Sequence, residues 1–371
     1  MAFVRERFDV YAQEYIGKTI NQSLFKKIPL FYLLTGLGGN QTASTTRIGR
    51  PGVADVFSGK KMTKTQRENI LGGFNSYQPV ILKSVSDDTK KMGARDTMPT
   101  VSNATTDSQD QILGTAKFNW VRKTTPIIVW NESLFRAMET GVSGAKGKAV
   151  ANVLETAADA ALNKHIDAWA TAFWTGTPAS QSSDPWSDVS GLTDALGSTT
   201  NTYGNVDRSV AANAQWVPQL VTSARSAILS EIIDEANLTL NCGIVGRGVD
   251  VILTTPALYR QFKAEARAKG QTVMVNGMPE MGEYGFKQEC LRFDNSYVMF
   301  DPLCPAGYVA CLNLETWKVI LGSKQNFSVG KFVNLPDYSE GAKDAHQAII
   351  DTRMIVSCDN PKVNCLFTNV S

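Results

Sequence analysis

The chain has 371 residues, 43% of them hydrophobic and 19% charged, with a formal net charge of +2. That length and apolar content fit a folded globular body with two subdomains rather than a disordered or membrane protein. The charge is too small to imply a nucleic-acid surface by itself, and no apolar run reaches the ~18 residues a membrane span needs.

The N-terminal MAFVRERFDVYAQEY interleaves charges with aromatics and does not read as a secretory signal. Over residues 8–24, Phe8, Tyr11, Tyr15, Ile16, Ile20 and Leu24 have helical spacing. Such an amphipathic segment has little to bury against locally and must dock on its own body or on a neighbouring chain. Lys26-Lys27 then lead into the apolar IPLFYLLTGLGGN. Residues 41–114 are the least core-like part, and the stretch 87–111 is the most polar of all. Before that stretch stand Tyr77, Val80, Ile81, Leu82 and Val85. After it, Ala116, Phe118 and Trp120 alternate with Lys117 and Asn119, the period-2 pattern of a strand. The economical reading is a long two-stranded excursion with a polar tip; the alternative is a disordered surface insertion. An isolated two-stranded hairpin is marginal in water, so this one is expected to rest on another subunit.

TPIIV at 125–129 reads as a buried strand, and Asn131 or Ser133 can cap a short helix through Met138, closed by Gly141. GVSGAKGKAV fails as a phosphate loop: Val142 stands where a glycine is needed and Ala149 where Ser or Thr is needed. It reads instead as a flexible lead-in to the longest element. There Val150, Val153, Leu154, Ala157, Ala158, Ala161, Leu162, Ile166, Trp169 and Phe173 repeat at i, i+3, i+4, i+7. Gly176 occupies the C′ position and Pro178 forbids resumption. Residues 150–174 thus predict a rod of roughly 37 Å.

Residues 177–209 carry turn residues and few core positions, and are expected to run over the surface. A second amphipathic helix is expected from Trp216, with Pro218 in its first turn and Val217, Leu220, Val221, Ala224, Ile228, Ile232 and Ile233 on its apolar face. VDVIL at 249–253 reads as a strand, and Thr254-Thr255-Pro256 starts a helix running to about Ala268. A polar glycine-rich loop over 270–288 follows. Short strands are expected at 297–300, 308–312, 317–321 and 349–356. Helices mixed with strands in no regular βαβ alternation indicate an α+β fold.

Chemistry is sparse. The two histidines are His165, read as a boundary residue of the long helix, and His346 in a polar segment. G-x-S-x-G and H-E-x-x-H are absent, and Gly36-Leu37-Gly38-Gly39 lacks dinucleotide spacing. Asp87-Asp88 and Asp234-Glu235 read as solvated acidic pairs, and Lys60, Lys61, Lys64 and Arg67 as a solvated basic cluster. Cys242, Cys290, Cys304, Cys311, Cys358 and Cys365 form no C-x-x-C pair and read as buried free thiols. No catalytic, cofactor-binding or metal residue is predicted, no cofactor, and no enzyme.

In their order these parts resemble the major capsid proteins of tailed bacteriophages, whose Hong Kong 97-type capsid fold is shared with encapsulins and the herpesvirus capsid floor. IPLFYLLTGLGG looks like the family's Pro-Leu-rich start, and AKFNWVRKTTPIIV like the strand returning from the extended loop. GLTDALGSTTNTYGNVDRS with Trp216 resembles a Gly-Leu…Tyr-Gly-Gly…Arg-Ser…Trp pattern, Asn205 replacing the second glycine. DVILTTPALYRQFK and MFDPLCPAGYVACLNLETWKV resemble blocks of the axial domain.

The resemblance implies an N-terminal arm at 1–44, an extended loop (E-loop) at 45–115 and a peripheral domain at 116–206 with a spine helix about 145–175. It further implies an axial domain at 207–330 and a return to the peripheral domain at 331–371. The implied function is structural: self-assembly through pentamers and hexamers into an icosahedral shell around double-stranded DNA. The place is the virion capsid, assembled in the host bacterial cytoplasm. Partners are other copies, with scaffolding, portal and decoration or cement proteins as further candidates; packaged DNA is contacted non-specifically and no membrane is involved. With the arm starting at Met1, a separate scaffold or none is expected. The Lys–Asn crosslink of some relatives has no assigned pair here. The alternative is an encapsulin-like cellular compartment shell.

Overall fold

The computed structural model describes residues 29–30, 34, 76–82, 113–130, 133, 146–182, 185–240, 249–268, 274–276, 289–293, 296–321, 328–335 and 345–371. Four short strands come first: β1 (Ser76–Tyr77), β2 (Val80–Leu82), β3 (Leu113–Thr115) and β4 (Phe118–Asn119). The long β5 (Val121–Trp130) precedes helix α1 (Lys146–Thr175) and the short α2 (Leu192–Leu196). Next come β6 (Thr202–Tyr203), β7 (Val206–Asp207), β8 (Gln219–Val221), α3 (Leu229–Leu240), β9 (Val251–Thr254) and α4 (Pro256–Ala268). Strands β10 (Met274–Asn276), β11 (Glu289–Phe293), β12 (Ser296–Phe300) and β13 (Val309–Leu312) follow. The chain closes with β14 (Trp317–Leu321), β15 (Ser328–Val329), β16 (Val333–Leu335), β17 (Ala345–Cys358) and β18 (Cys365–Phe367).

Two sheets organise these elements. The first has seven strands in the order β10-β11-β12-β9-β13-β18-β8. In the second, β17 is the axis: β5 pairs along one edge, while β14, β15 and β16 pair in succession along the other. Strands β9, β13 and β18 are buried at every position, as expected of strands covered on both faces. One face of the seven-stranded sheet, with Ile252, Val298, Val309, Cys311 and Phe367, packs under Ile232 of α3 and Phe262 of α4. The opposite face, with Leu253, Met299, Ala310 and Leu366, joins the cluster that also holds Trp174 at the end of α1 and Ile355 of β17.

Helix α1 lies across β5 and β17 and buries Ala158, Leu162, Ile166 and Trp169. It extends the rod read from the sequence at both ends. Its first turn includes Gly147 and Lys148, so the stretch from Lys146 is helix and not a flexible lead-in. At its other end the Gly176 amide donates to Ala172 O at 2.9 Å. Gly176 lacks the left-handed backbone of a C′ cap. A Cβ there would instead sit 2.5 Å from Ala172 O and 2.6 Å from Val189 O, and one at Gly191 would sit 2.5 Å from Ala172 O. The two glycines let the returning chain press against the helix end.

Several expectations are corrected. Residues 177–209 do not skim the surface: Trp186, Val189, Leu192, Leu196, Tyr203 and Arg208 are buried, because small and turn residues allow tight packing of the few large ones. The helix expected from Trp216 is absent there; Trp216 ends a 3-10 turn, and Gln219–Val221 is a strand parallel to β18, with α3 beginning only at Leu229. Pairing with an open sheet edge outweighed the helical spacing. Asn119 does not alternate outward: Phe118, Asn119, Trp120 and Val121 are all buried where β4 ends and β5 begins. Strands β5 and β17 both run past the expected 125–129 and 349–356. Thr255 caps α4 as expected, its Oγ1 accepting from the Leu258 amide at 3.3 Å. The amphipathic segment 8–24, the polar tip 87–111, the basic cluster Lys60–Arg67 and most of the 131–141 helix and the 270–288 loop lie outside the described residues.

Candidate assembly surface

Among the described residues, α1 covers one face of strand β5, while its other face stays partly exposed. Val121, Thr125, Ile127 and Val129 turn toward α1; Pro126, Ile128 and Trp130 turn outward. Opposite them in register, Pro126 faces Ile349 and Ile128 faces Gln347, which in turn faces Val333 of β16. Ile128 is 40% exposed, Trp130 38%, Ile349 44% and Val333 54%. These side chains lie on the outer face of the β5–β17–β16 sheet, with Gln347 between Ile128 and Val333, and exposed apolar groups clustered in this way mark interaction sites. The patch has a polar border. Arg122 clamps Asp351 through two bonds, Nε–Oδ1 at 2.8 Å and Nη2–Oδ2 at 2.9 Å, and Arg353 stacks over Trp120 with its Cζ 4.7 Å from the ring centre. An apolar centre with a polar rim is the anatomy of a protein interface.

Toward the other end of β5, strands β2 and β3 form a two-stranded stem. Val80 pairs with Thr115 and Leu82 with Leu113, and Val80 is 71% exposed. The stem is pinned at its base. Tyr77 OH donates to Asp359 Oδ2 at 3.0 Å, Lys318 bonds to both Tyr77 and Asp359, and the Lys117 amide donates to Gly204 O at 2.8 Å. A second attachment ties the IPLFYLL block to the body, where the Leu30 amide donates to Asp301 Oδ2 at 3.1 Å. Leu30 is fully buried. Burial pushes the Asp301 carboxyl up, opposed by the Leu303 and Leu30 amides.

The polar residues inside the body are structural. Arg208 donates to Trp216 O at 3.1 Å, Ser198 O at 3.2 Å, Asn201 Oδ1 at 3.0 Å and Ala195 O at 2.8 Å. Its guanidinium lies 4.5 Å from the Tyr203 ring centre, and burial lowers its pKa to about 10. It is therefore a cation at neutral pH, whose planar fork gathers the loop's carbonyls. Gly204 and Asn205 both have left-handed backbones at the β6–β7 turn. Two consecutive positive φ values define the tight hairpin turn, and Asn tolerates that geometry well, which explains Asn205 in place of a glycine. The Arg-Ser…Trp pattern of the sequence is thus a folding knot.

His165 is not a boundary residue. It is fully buried, with Nδ1 2.9 Å from Thr125 Oγ1, Nε2 2.8 Å from Thr352 Oγ1 and the Trp169 indole beside it, at the joint of α1, β5 and β17. Burial lowers its pKa to about 4, opposed by Asp351 and reinforced by Lys123. His346 lies on β17, Asp234 is exposed on α3, and Glu235 pairs with Arg225 at 2.6 Å. Cys304, Cys311, Cys358 and Cys365 are buried free thiols, as read from the sequence. Among the described residues no group of His, Cys, Asp and Glu could hold a metal ion, and no helix is long and apolar enough to cross a membrane.

No family model and no curated relative matches the sequence. Solved structures do match in fold. A chain of the cyanophage A-1(L) capsid asymmetric unit aligns with 13% identity over 87% of this chain and 97% of that one, at a TM-score of 0.51. A Mycobacterium phage Bobi chain aligns with 13% identity over 80% and 86%, at 0.45. The SrpI encapsulin of Synechococcus elongatus aligns with 10% identity over 70% and 76%, at 0.44. The cyanophage likeness is one of fold: this α+β chain has the fold of a phage capsid subunit.

Proposed function

We propose that the chain is the major capsid protein of a tailed bacteriophage, which self-assembles through pentamers and hexamers into an icosahedral shell enclosing double-stranded DNA. The observation that carries this reading is a capsid-type fold with exposed apolar side chains, Ile128, Val333 and Ile349, on the outer face of the β5–β17–β16 sheet. In this reading residues 1–44 are an arm, 45–115 an extended loop, 116–206 with 331–371 a peripheral domain whose spine is α1, and 207–330 an axial domain. Arm and loop reach over neighbours, so many modest contacts accumulate into an interface of about 2,000 Å² or more per subunit. One heterologous contact, repeated under closed symmetry, makes rings and then a shell. The chain does no chemistry; its partners are other copies, scaffolding, portal and cement proteins, and packaged DNA touched without sequence preference. Its place is the virion, built in the host cytoplasm.

Electron microscopy of the purified chain, beside a deletion of residues 87–111, tests this. The intact chain should form closed particles, and the deletion should leave a folded body that forms none. Normal particles from the deletion would refute the role given to the loop. Particles filled with protein cargo and no nucleic acid would make the chain a compartment shell instead.

A further inference from the structure

Helices α3 and α4 lie on one face of the seven-stranded sheet, α4 against β12 and α3 against β18, the third and sixth strands. Three strand spacings separate them by about 14 Å. They meet at one point, where Glu265 of α4 accepts from the Leu229 amide at 2.6 Å and from Ser230 Oγ at 3.3 Å. Glu265 thereby satisfies an orphan donor at the start of α3 and marks the flank of α4 that faces it. Arg260 and Arg267 are exposed on α4. At about 100° per residue they stand about 20° from each other and about 140–160° around the helix from Glu265. Measured from the buried Leu258, Tyr259 and Phe262 they stand about 135–155° around the helix, so they lie on the outer face of α4, on the side away from Glu265.

The exposed acids of α3, Glu231 and Asp234, stand about 150° around the helix from its buried stripe of Leu229, Ile232, Ile233 and Ala236. Arg225 bonds Glu235 and also lies near Glu231. One face of the subdomain thus carries exposed arginines on the outer side of α4 and exposed acids on the outer side of α3. The ~14 Å between the helices exceeds the screening length of about 8 Å at physiological salt, so the acids of α3 do not neutralise the arginines of α4 in the same copy. A ring built from one repeated contact needs two different surfaces that complement each other on every copy.

We propose that Arg260 and Arg267 of one copy meet Glu231 and Asp234 of the next copy around a ring. This rests on the shell reading above and names the contact that would set ring register. Charge complementarity of this kind steers and orients association more than it adds affinity.

The test uses the full chain and reads ring and particle yield by sedimentation and negative-stain microscopy, with circular dichroism to confirm folding. The reversals R260E/R267E and E231R/D234R should each cut yield about tenfold at physiological salt, and the four changes together should restore it to within about twofold. The milder R260Q/R267Q should give a smaller loss that narrows as salt rises, because salt screens the same contact in the unaltered chain, and serves if the reversal does not fold. Yield unchanged by either reversal, or a fourfold variant as poor as its halves, would overturn the contact while leaving the shell reading intact. Normal particles that lose bound DNA in R260E/R267E would assign the arginines to nucleic acid and overturn it too. An unaltered chain that forms neither rings nor particles would end both proposals.

Discussion

The two sheets differ in who covers them. Among the described residues, the central strands of the seven-stranded sheet are covered on both faces: α3 and α4 lie on one, and the cluster that ends α1 on the other. Among the described residues, α1 covers one face of the β5–β17–β16 sheet, and the other carries the partly exposed Pro126, Ile128, Trp130, Val333 and Ile349 beside Thr124 and Gln347. Fully burying an exposed aliphatic side chain is worth about 1.5–3 kcal/mol, and these are about half buried, so covering the group would add a part of that at each position. One sheet is a finished core, and the other is half of one.

Cutting into the finished core should have the largest effect. Phe262→Ala and Phe367→Ala each remove a fully buried ring and should cost about 3–5 kcal/mol in denaturant unfolding of the unassembled chain. A cost below ~1 kcal/mol would mean that this sheet, too, is completed by a neighbour. Arg208→Met belongs to the same class. It leaves the carbonyls of Ala195, Ser198 and Trp216 without their donor and should also cost about 3–5 kcal/mol. The lysine variant, lacking the planar fork, should recover only part of the loss.

The joint under the half-finished sheet should respond to acid. His165 has its pKa lowered to about 4 from an ordinary 6.5, so the fold holds it neutral. Above pH 6.5 neither state binds the proton and the joint has its full stability. Between pH 6.5 and 4 the unfolded chain takes up the proton and the folded chain does not. Stability there falls by up to about 3 kcal/mol. Asp194 and Asp301, whose carboxyls burial pushes up, titrate in the opposite sense, so the measurement is a difference between the chain and its His165→Gln variant. The variant should show a flatter fall of unfolding free energy over that window. Equal slopes would remove His165 as the acid-sensitive group.

How much of this was legible beforehand follows from the range of the forces involved. The α1 rod, the α4 start at Thr255-Pro256 and strands β9, β12, β13 and β14 were readable, because periodicity and caps are local. The segment after Trp216 was misread because its helical spacing is real, while its pairing with β18 depends on residues far along the chain. The burial of 177–209 was invisible for the same reason: Tyr203, Arg208 and Trp216 act as a core only once the Gly204-Asn205 turn brings them together. His165 looked like a boundary residue because its partners Thr125 and Thr352 come from two strands of another element pair. The assembly surface did leave a signal. TPIIVW is apolar at odd and even positions alike, and only the structure shows that Pro126, Ile128 and Trp130 stay partly exposed while Ile127 and Val129 are buried.

The smallest effect on the single chain should accompany the largest on its assembly. Ile128→Ser with Ile349→Ser removes two outward side chains that touch no core, so unfolding free energy should move by about 0.5 kcal/mol or less per site. If a neighbour completes this sheet, the same changes place unsatisfied hydroxyls in a buried contact and delete apolar area from its centre. Particle yield by sedimentation should then fall sharply while the melting curve of the soluble chain stays where it was. The reverse outcome, normal particles from a destabilised chain, would mean that the patch is covered from within, by the chain's own arm or loop. Both outcomes concern the same five side chains, and the two measurements together decide which molecule supplies their other half.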